Sequence, residues 1–223
     1  MNIRINVLLG LLLLFVCSCS DDNEEIVVSP DGEGVFVDDK GNEYPYVRYG
    51  DLEWMTENLS VRVADGCEVI HEENRNPIDK ELEITRNLQT FGRIYTYSAA
   101  LKAVPKGWRL PTDEDWQKLE RALGMSDTDV KKMEWRGAPV GALLQQNESA
   151  LCFRNGGMGE MDYIYGLEVY FPYVYGFYWT STPETENNQM MFCRQISYKS
   201  DAVARILVDK NKMLSVRCVR DVE

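Results

Sequence analysis

Between residues 141 and 178 the chain interleaves glycine with aromatic rings, as in Gly156-Gly157, Gly159, Tyr163, Tyr165, Tyr170, Tyr173 and Tyr175. Glycine inside a helix costs about 1 kcal/mol relative to alanine, and aromatic side chains fit the pleated surface of a strand better. A long helix therefore cannot run through this stretch. It predicts an irregular excursion that feeds a set of strands. The segments that follow, Phe177–Thr180, Gln189–Tyr198, Ala202–Val208 and Leu214–Val219, read as strands. Turn residues at Asn187-Asn188 and Asp209-Lys210-Asn211-Lys212 separate them.

Upstream, the pattern alternates between strands and helices. Val35–Tyr44 reads as a strand, an Asp/Gly/Asn turn and the start of a second strand, which continues through Tyr46–Tyr49. Leu52–Met55 reads as a third. Residues 65–90 are rich in charge and poor in apolar spacing, which predicts a long loop with at most one helical turn. The clearest helix follows Pro111. Thr112 is its expected N-cap, Asp113, Glu114 and Asp115 fill the first turn, and Trp116, Leu119 and Leu123 line one face before Gly124. A second helix is expected over Tyr95–Ala103, ended by Pro105-Lys106-Gly107, and a short amphipathic stretch over Asp127–Glu134. Several strands around two helices make an α+β chain with antiparallel pairing.

The N-terminus has a different logic. Residues 1–18 place Arg4 ahead of an apolar run from Val7 to Val16, too short to span about 30 Å of hydrocarbon comfortably. That is the pattern of a secretory leader. Val16-Cys17-Ser18-Cys19 resembles a bacterial lipobox, which implies lipidation of Cys19 and attachment to a membrane through acyl chains. Asp21, Asp22, Glu24 and Glu25 follow, resembling the acidic tract of Bacteroidetes surface lipoproteins. The expected location is the outer membrane, facing the exterior. Residues 19–33 read as an acidic flexible tether and 34–223 as the folded domain.

Removing the leader takes only Arg4 among charged residues, so the formal charge moves from −12 to −13. An acidic chain without basic runs excludes nucleic acid, whose binding depends on neutralised phosphates. Cys67, Cys152, Cys193 and Cys218 remain, and three full pairings are open. An extracytoplasmic location permits disulfides without requiring them. With His71 the only histidine, these widely spaced thiols make a poor zinc set.

Five ordered blocks carry a family likeness. They are Gly41-x-x-Tyr44 with Trp54-Met55-Thr56-Glu57-Asn58-Leu59; Phe91-Gly92-Arg93-Ile94-Tyr95-Thr96-Tyr97; Pro105-x-Gly107-Trp108-Arg109-Leu110-Pro111-Thr112; Trp179-Thr180-Ser181-Thr182; and Ser215-Val216-Arg217-Cys218-Val219-Arg220-Asp221. Together they resemble the Fibrobacter succinogenes major paralogous domain family. The resemblance implies a C-type-lectin-like fold, with two helices, a small twisted antiparallel sheet and a long glycine/aromatic-rich loop region. On that mapping residues 125–178 are the variable loops that carry recognition.

The tryptophans Trp54, Trp108, Trp116 and Trp179, which fall inside these blocks, are expected in the core, and Arg109, Arg217 and Arg220 to pin carboxylates or carbonyls. Tyr163, Tyr165, Tyr170, Tyr173 and Tyr175 form the candidate recognition surface. Calcium has oxygens to draw on at Glu160, Asp162, Glu168, Glu184, Glu186, Asn187 and Asn188, but the sugar-binding triplets Glu-Pro-Asn and Gln-Pro-Asp are absent. No metal or other cofactor is expected. Ser181, Ser197 and His71 make no triad context, and Gly156-Gly157-x-Gly159 lacks the lysine of a phosphate loop. Three readings follow: a surface-attached, non-enzymatic module for glycan or envelope/host protein; an enzyme or enzyme partner with its site in loops 125–198; or a structural envelope lipoprotein without a small ligand. A buried, converging polar cluster would favour the enzyme, and a shallow aromatic patch the recognition module.

Overall fold

A computed structural model of the chain describes residues 28–71, 76–146 and 149–222. The leader, Cys19 and most of the acidic tether lie outside these residues. In chain order the elements are β1 (Gly32–Val37), β2 (Glu43–Tyr49), β3 (Leu52–Met55), β4 (Cys67–Glu68), α1 (Pro77–Phe91), β5 (Ile94–Tyr95), α2 (Tyr97–Ala103), α3 (Asp113–Ala122), β6 (Glu134–Arg136) and α4 (Val140–Gln145). Then follow β7 (Met158–Asp162), β8 (Gly166–Tyr170), β9 (Tyr175–Pro183), β10 (Met190–Ser197), β11 (Ser200–Asp209), β12 (Leu214–Ser215) and β13 (Val219–Asp221).

These strands form three sheets. A four-stranded sheet runs β1-β2-β3-β13, a seven-stranded sheet β4-β5-β12-β9-β10-β11-β6, and β7 pairs with β8 alone. Every pairing is antiparallel except β9 with β12. The expected two-helix, small-sheet C-type-lectin-like arrangement is thus corrected: the described residues hold an α+β fold of four helices and three sheets.

Each difference has a local cause. The charge-rich stretch expected as a loop contains α1, a helix of 15 residues. Its apolar spacing is weak because it buries Glu83 and Asn87 and leaves Ile78 and Leu82 exposed. Its start is set by capping instead: the Asn76 side chain accepts from the Asp79 amide and Pro77 occupies the first turn. The segment 125–178 is not one loop. It contains β6, α4 and the β7–β8 hairpin. Asp127–Glu134 forms turns rather than a helix, and Glu134 enters β6.

Other expectations hold. β1 to β3 cover the segments read as strands, with β1 starting earlier, at Gly32. α3 starts at Thr112 with both halves of the capping box made, Thr112 accepting from the Asp115 amide and Asp115 from the Thr112 amide. α2 ends where expected but starts two residues later, at Tyr97, because Tyr95 belongs to β5 and Thr96 caps the helix; Ala99, Ala100 and Ala103 are buried. The tryptophans go inside as expected. Trp54 meets Trp116 edge-on at 5.2 Å, and Trp116 continues through Phe153 to Tyr178. A neighbouring cluster gathers Trp108, Trp179, Tyr95 and Met191.

Candidate recognition surface and its neighbouring clefts

The β7–β8 hairpin presents the most exposed rings among the described residues. Its base is tied to the large sheet: Gly159 exchanges backbone hydrogen bonds with Met213 at 2.9 and 2.7 Å, and the Gly157 amide donates to the Tyr175 carbonyl at 2.7 Å. Only glycine suits this approach, because a Cβ at Gly157 would lie 2.8 Å from the Tyr170 carbonyl and its φ is +76°. Asp162 pairs with Gly166 across a three-residue loop, and Gly166 closes it at φ +80°. Asp162 Oδ1 accepts from the amides of Ile164 and Tyr165, both at 2.7 Å. The loop is therefore held open with its side chains outward: Tyr163 is 102% exposed, Ile164 77% and Tyr165 72%. Met161 is exposed beside them.

The five candidate tyrosines do not act as one patch. Tyr163 and Tyr165 sit together at this tip. Tyr170 lies along β8, its hydroxyl donating to Glu168 Oε2 at 2.5 Å, and that bond pushes its titration up to about 12. Tyr173 is exposed on one edge but packs on Phe91 at 5.6 Å, and its hydroxyl reaches Glu83 and Asn87 of α1. Tyr175 packs among Trp135, Phe171 and Phe177. Ile164 and Met161 belong to the tip but are not aromatic. The signal for Ile164 is the Asp162-to-Gly166 spacing, which marks a turn whose central residues face outward; Met161 precedes that turn, in β7.

The remaining candidate groups are dispersed. Cys67, Cys193 and Cys218 are buried free thiols, and Cys152 is half-buried with its Sγ 4.0 Å from the Gln146 carbonyl. Burial raises the Cys193 thiol and pushes Cys218 up to about 12, so neither is a nucleophile at neutral pH. The candidate calcium oxygens fall on two separate hairpins. Glu160 pairs with Lys212, Asp162 holds the β7–β8 turn, and Glu184 accepts from the amides of Glu186 and Asn187. Among the described residues no three His, Cys, Asp or Glu side chains gather as a metal set. His71 is half-buried, its Nδ1 2.7 Å from the Val69 carbonyl.

A converging polar cluster does exist, but it is closed. Glu120 of α3 is fully buried between Arg136, which donates from Nη2 to both its oxygens at 2.8 Å, and Arg194, which donates from Nε at 2.6 Å. Asp113 joins Arg194 at 2.7 Å and Arg205 at 2.8 Å. Burial would raise the Asp113 carboxyl, but the hydrogen bonds and charges of Arg205 and Arg194 outweigh it and hold it at about 2. With every carboxylate occupied, this network clamps α3 to β6, β10 and β11 and has no acid or base to offer a substrate.

Two surface clefts among the described residues border Arg220 and Arg217. One, of about 760 Å³, lies beside Phe36, Arg48, Trp108 and Arg220. Arg220 stacks on Phe36, Tyr46 and Trp108 at 5.2, 4.9 and 4.8 Å and pairs with Glu53, while Arg109 pairs with Asp115 and Asp221. These arginines pin carboxylates, as expected. The other cleft, of about 610 Å³, is bounded by Asn58, Ser60, Gln89, Arg154 and Arg217. There Arg217 holds backbone carbonyls, also as expected.

The structural landmarks and the motif blocks coincide. Trp54, Trp108, Trp116 and Trp179 build the core, and the terminal block supplies β13 and the Arg217 and Arg220 anchors. Comparison with characterised proteins and with solved structures finds no match. A family model, the Fibrobacter succinogenes major domain, matches residues 47–220. That range runs from the middle of β2 to β13 and holds all four helices and the hairpin, so the chain belongs to the Fibrobacter succinogenes major domain family.

Proposed function

We propose that the chain is a surface-attached, non-enzymatic recognition module for a glycan or a protein, with the β7–β8 tip as its contact. The supporting observation is the tip itself: two tyrosines and an isoleucine held almost fully in water by an aspartate-braced turn. Leaving such rings exposed forgoes burial worth about 2 kcal/mol each, which a packed loop would recover. The acid–arginine cluster, being saturated, favours this reading over catalysis. Attachment is read from residues 1–25, through lipid on Cys19 and the acidic tract that resembles those of Bacteroidetes outer-membrane lipoproteins. The acidic body would be repelled from an anionic membrane and held outward.

The test is a glycan array, and a parallel panel of envelope and host surface proteins, probed with the full chain in mild detergent, with and without calcium. Saturable binding on either supports recognition. Binding that needs calcium would bring Glu160, Asp162 and Glu168 back as ligands. Silence on both from folded protein would overturn the proposal.

A further inference from the structure

We infer that the cleft walled by Asn58, Ser60, Gln89, Arg154 and Arg217 is a second binding site, for a carboxylate carried on a hydroxylated ring, the chemistry of a uronic acid. Arg217 is 1% exposed, and all its hydrogen bonds go to neutral oxygens. It donates to the carbonyls of Met55, Leu151 and Cys152 at 2.9, 2.6 and 3.2 Å, and to Asn58 Oδ1 at 3.2 and 2.9 Å. Among the described residues no carboxylate pairs with it. The other fully buried arginine, Arg194, is treated differently: Glu120 and Asp113 both neutralise it.

A buried charge without a counter-ion is costly, and carbonyl dipoles offset only part of that cost. The uncompensated field extends into the adjoining cleft, where low-dielectric walls keep it strong. Arg154 stands on the same cleft, exposed, with no hydrogen bond or ion pair to its guanidinium among the described residues. Its charge adds to that of Arg217: burial lowers the Arg217 pKa and Arg154 lowers it further, against Tyr178 and Cys152, which raise it. Glu57 is the one acid in the lining, so the cleft keeps a positive excess. The side chains of Ser60 and Gln89 make no hydrogen bond within the described protein, leaving a hydroxyl and an amide for ring hydroxyls. Leu88 supplies an apolar wall. A cleft of about 610 Å³ accommodates a monosaccharide. Arg154 is the direct, bidentate partner of the carboxylate, and Arg217, its donors already engaged, acts through its field.

The site stands apart from the hairpin tip and does not depend on it. Titration calorimetry of the full chain in detergent with galacturonate, galactose and galacturonate methyl ester tests it, with oligogalacturonate as a further arm. The expected result is uronate binding at least about tenfold tighter than ester or neutral sugar, weakened by salt and by about tenfold in Arg154→Gln. Binding confined to the oligomer, with the same Arg154 dependence, supports the site with a polysaccharide as its source. Equal affinity for galactose, full uronate affinity in folded Arg154→Gln, or no uronate binding in either arm would overturn it. Tyr163→Ala/Tyr165→Ala is expected to bind uronate as the parent does, which separates this site from the tip.

Discussion

Glu120→Gln removes one negative charge from the centre of the α3 clamp and leaves the shape unchanged. Glu120 is fully buried and receives three charge-assisted hydrogen bonds, two from Arg136 and one from Arg194. The amide can accept on one side only, so its NH2 must face a guanidinium. With the amide oxygen at the Oε1 position the NH2 faces Arg136 Nη2, so Arg136 is left without a carboxylate and with the Val203 carbonyl at 2.7 Å, while Arg194 still pairs with Asp113. Breaking a buried pair by removing one partner costs about 3–5 kcal/mol, most of it the penalty of the stranded charge. With a urea m-value of about 2 kcal/mol/M, the unfolding midpoint falls by about 2 M at unchanged slope. Adding Arg136→Gln should recover part of the loss, since the stranded charge is removed with it. Urea titration followed by tryptophan fluorescence reads both variants. A midpoint shift under 0.5 M for Glu120→Gln, on the order of 1 kcal/mol, would refute the clamp.

Three further outcomes follow from the same geometry. The Asp113 carboxyl sits at about 2 against an ordinary 3.8, so its contribution, about 2 kcal/mol, is present above pH 4 and lost as pH falls through 2; thermal melts from pH 5 to pH 2 should steepen there, and Asp113→Asn should flatten the trend. Gly141→Ala gains up to about 1 kcal/mol of helix propensity, but its Cβ would lie 2.0 Å from the Ala202 carbonyl oxygen of β11; overpacking wins, and the melting temperature falls by about 5 °C. Alkylation mapped by mass spectrometry should label Cys152 in the native protein and reach Cys193 and Cys218 only on unfolding, because both are buried with raised thiol pKa values.

The readable parts of the fold are those whose causes are local. Thr112 and Asp115 announce α3 because a capping box needs only four residues, and β1 to β3 follow from the turn residues that separate them. α1 escapes the same reading because tertiary contacts replace apolar periodicity: Asn87 is buried by donating to the Ile70 carbonyl at 2.8 Å. The parallel β9–β12 pair and the acid–arginine clamp join residues far apart in sequence, so no local spacing betrays them. The tyrosines show the same limit. Tyr163 and Tyr165 look no different from Tyr173 and Tyr175 in sequence, and only remote partners, Phe91 and Trp135, take the latter two out of the exposed tip. Likewise Arg217 and Arg220 close one motif block, yet one meets carbonyls beside an open cleft and the other a carboxylate.

The most direct measurement is a binding titration of Tyr163→Ala/Tyr165→Ala beside the parent chain, against the strongest ligand from the glycan array or the protein panel whose binding is unchanged in Arg154→Gln. Both side chains lie in water, so the variant's stability should match the parent's within about 0.5 kcal/mol. The account predicts a loss of affinity of about tenfold or more with the fold intact, since aromatic anchors dominate such contacts. Unchanged affinity in the equally stable variant would contradict it and place recognition elsewhere on the domain.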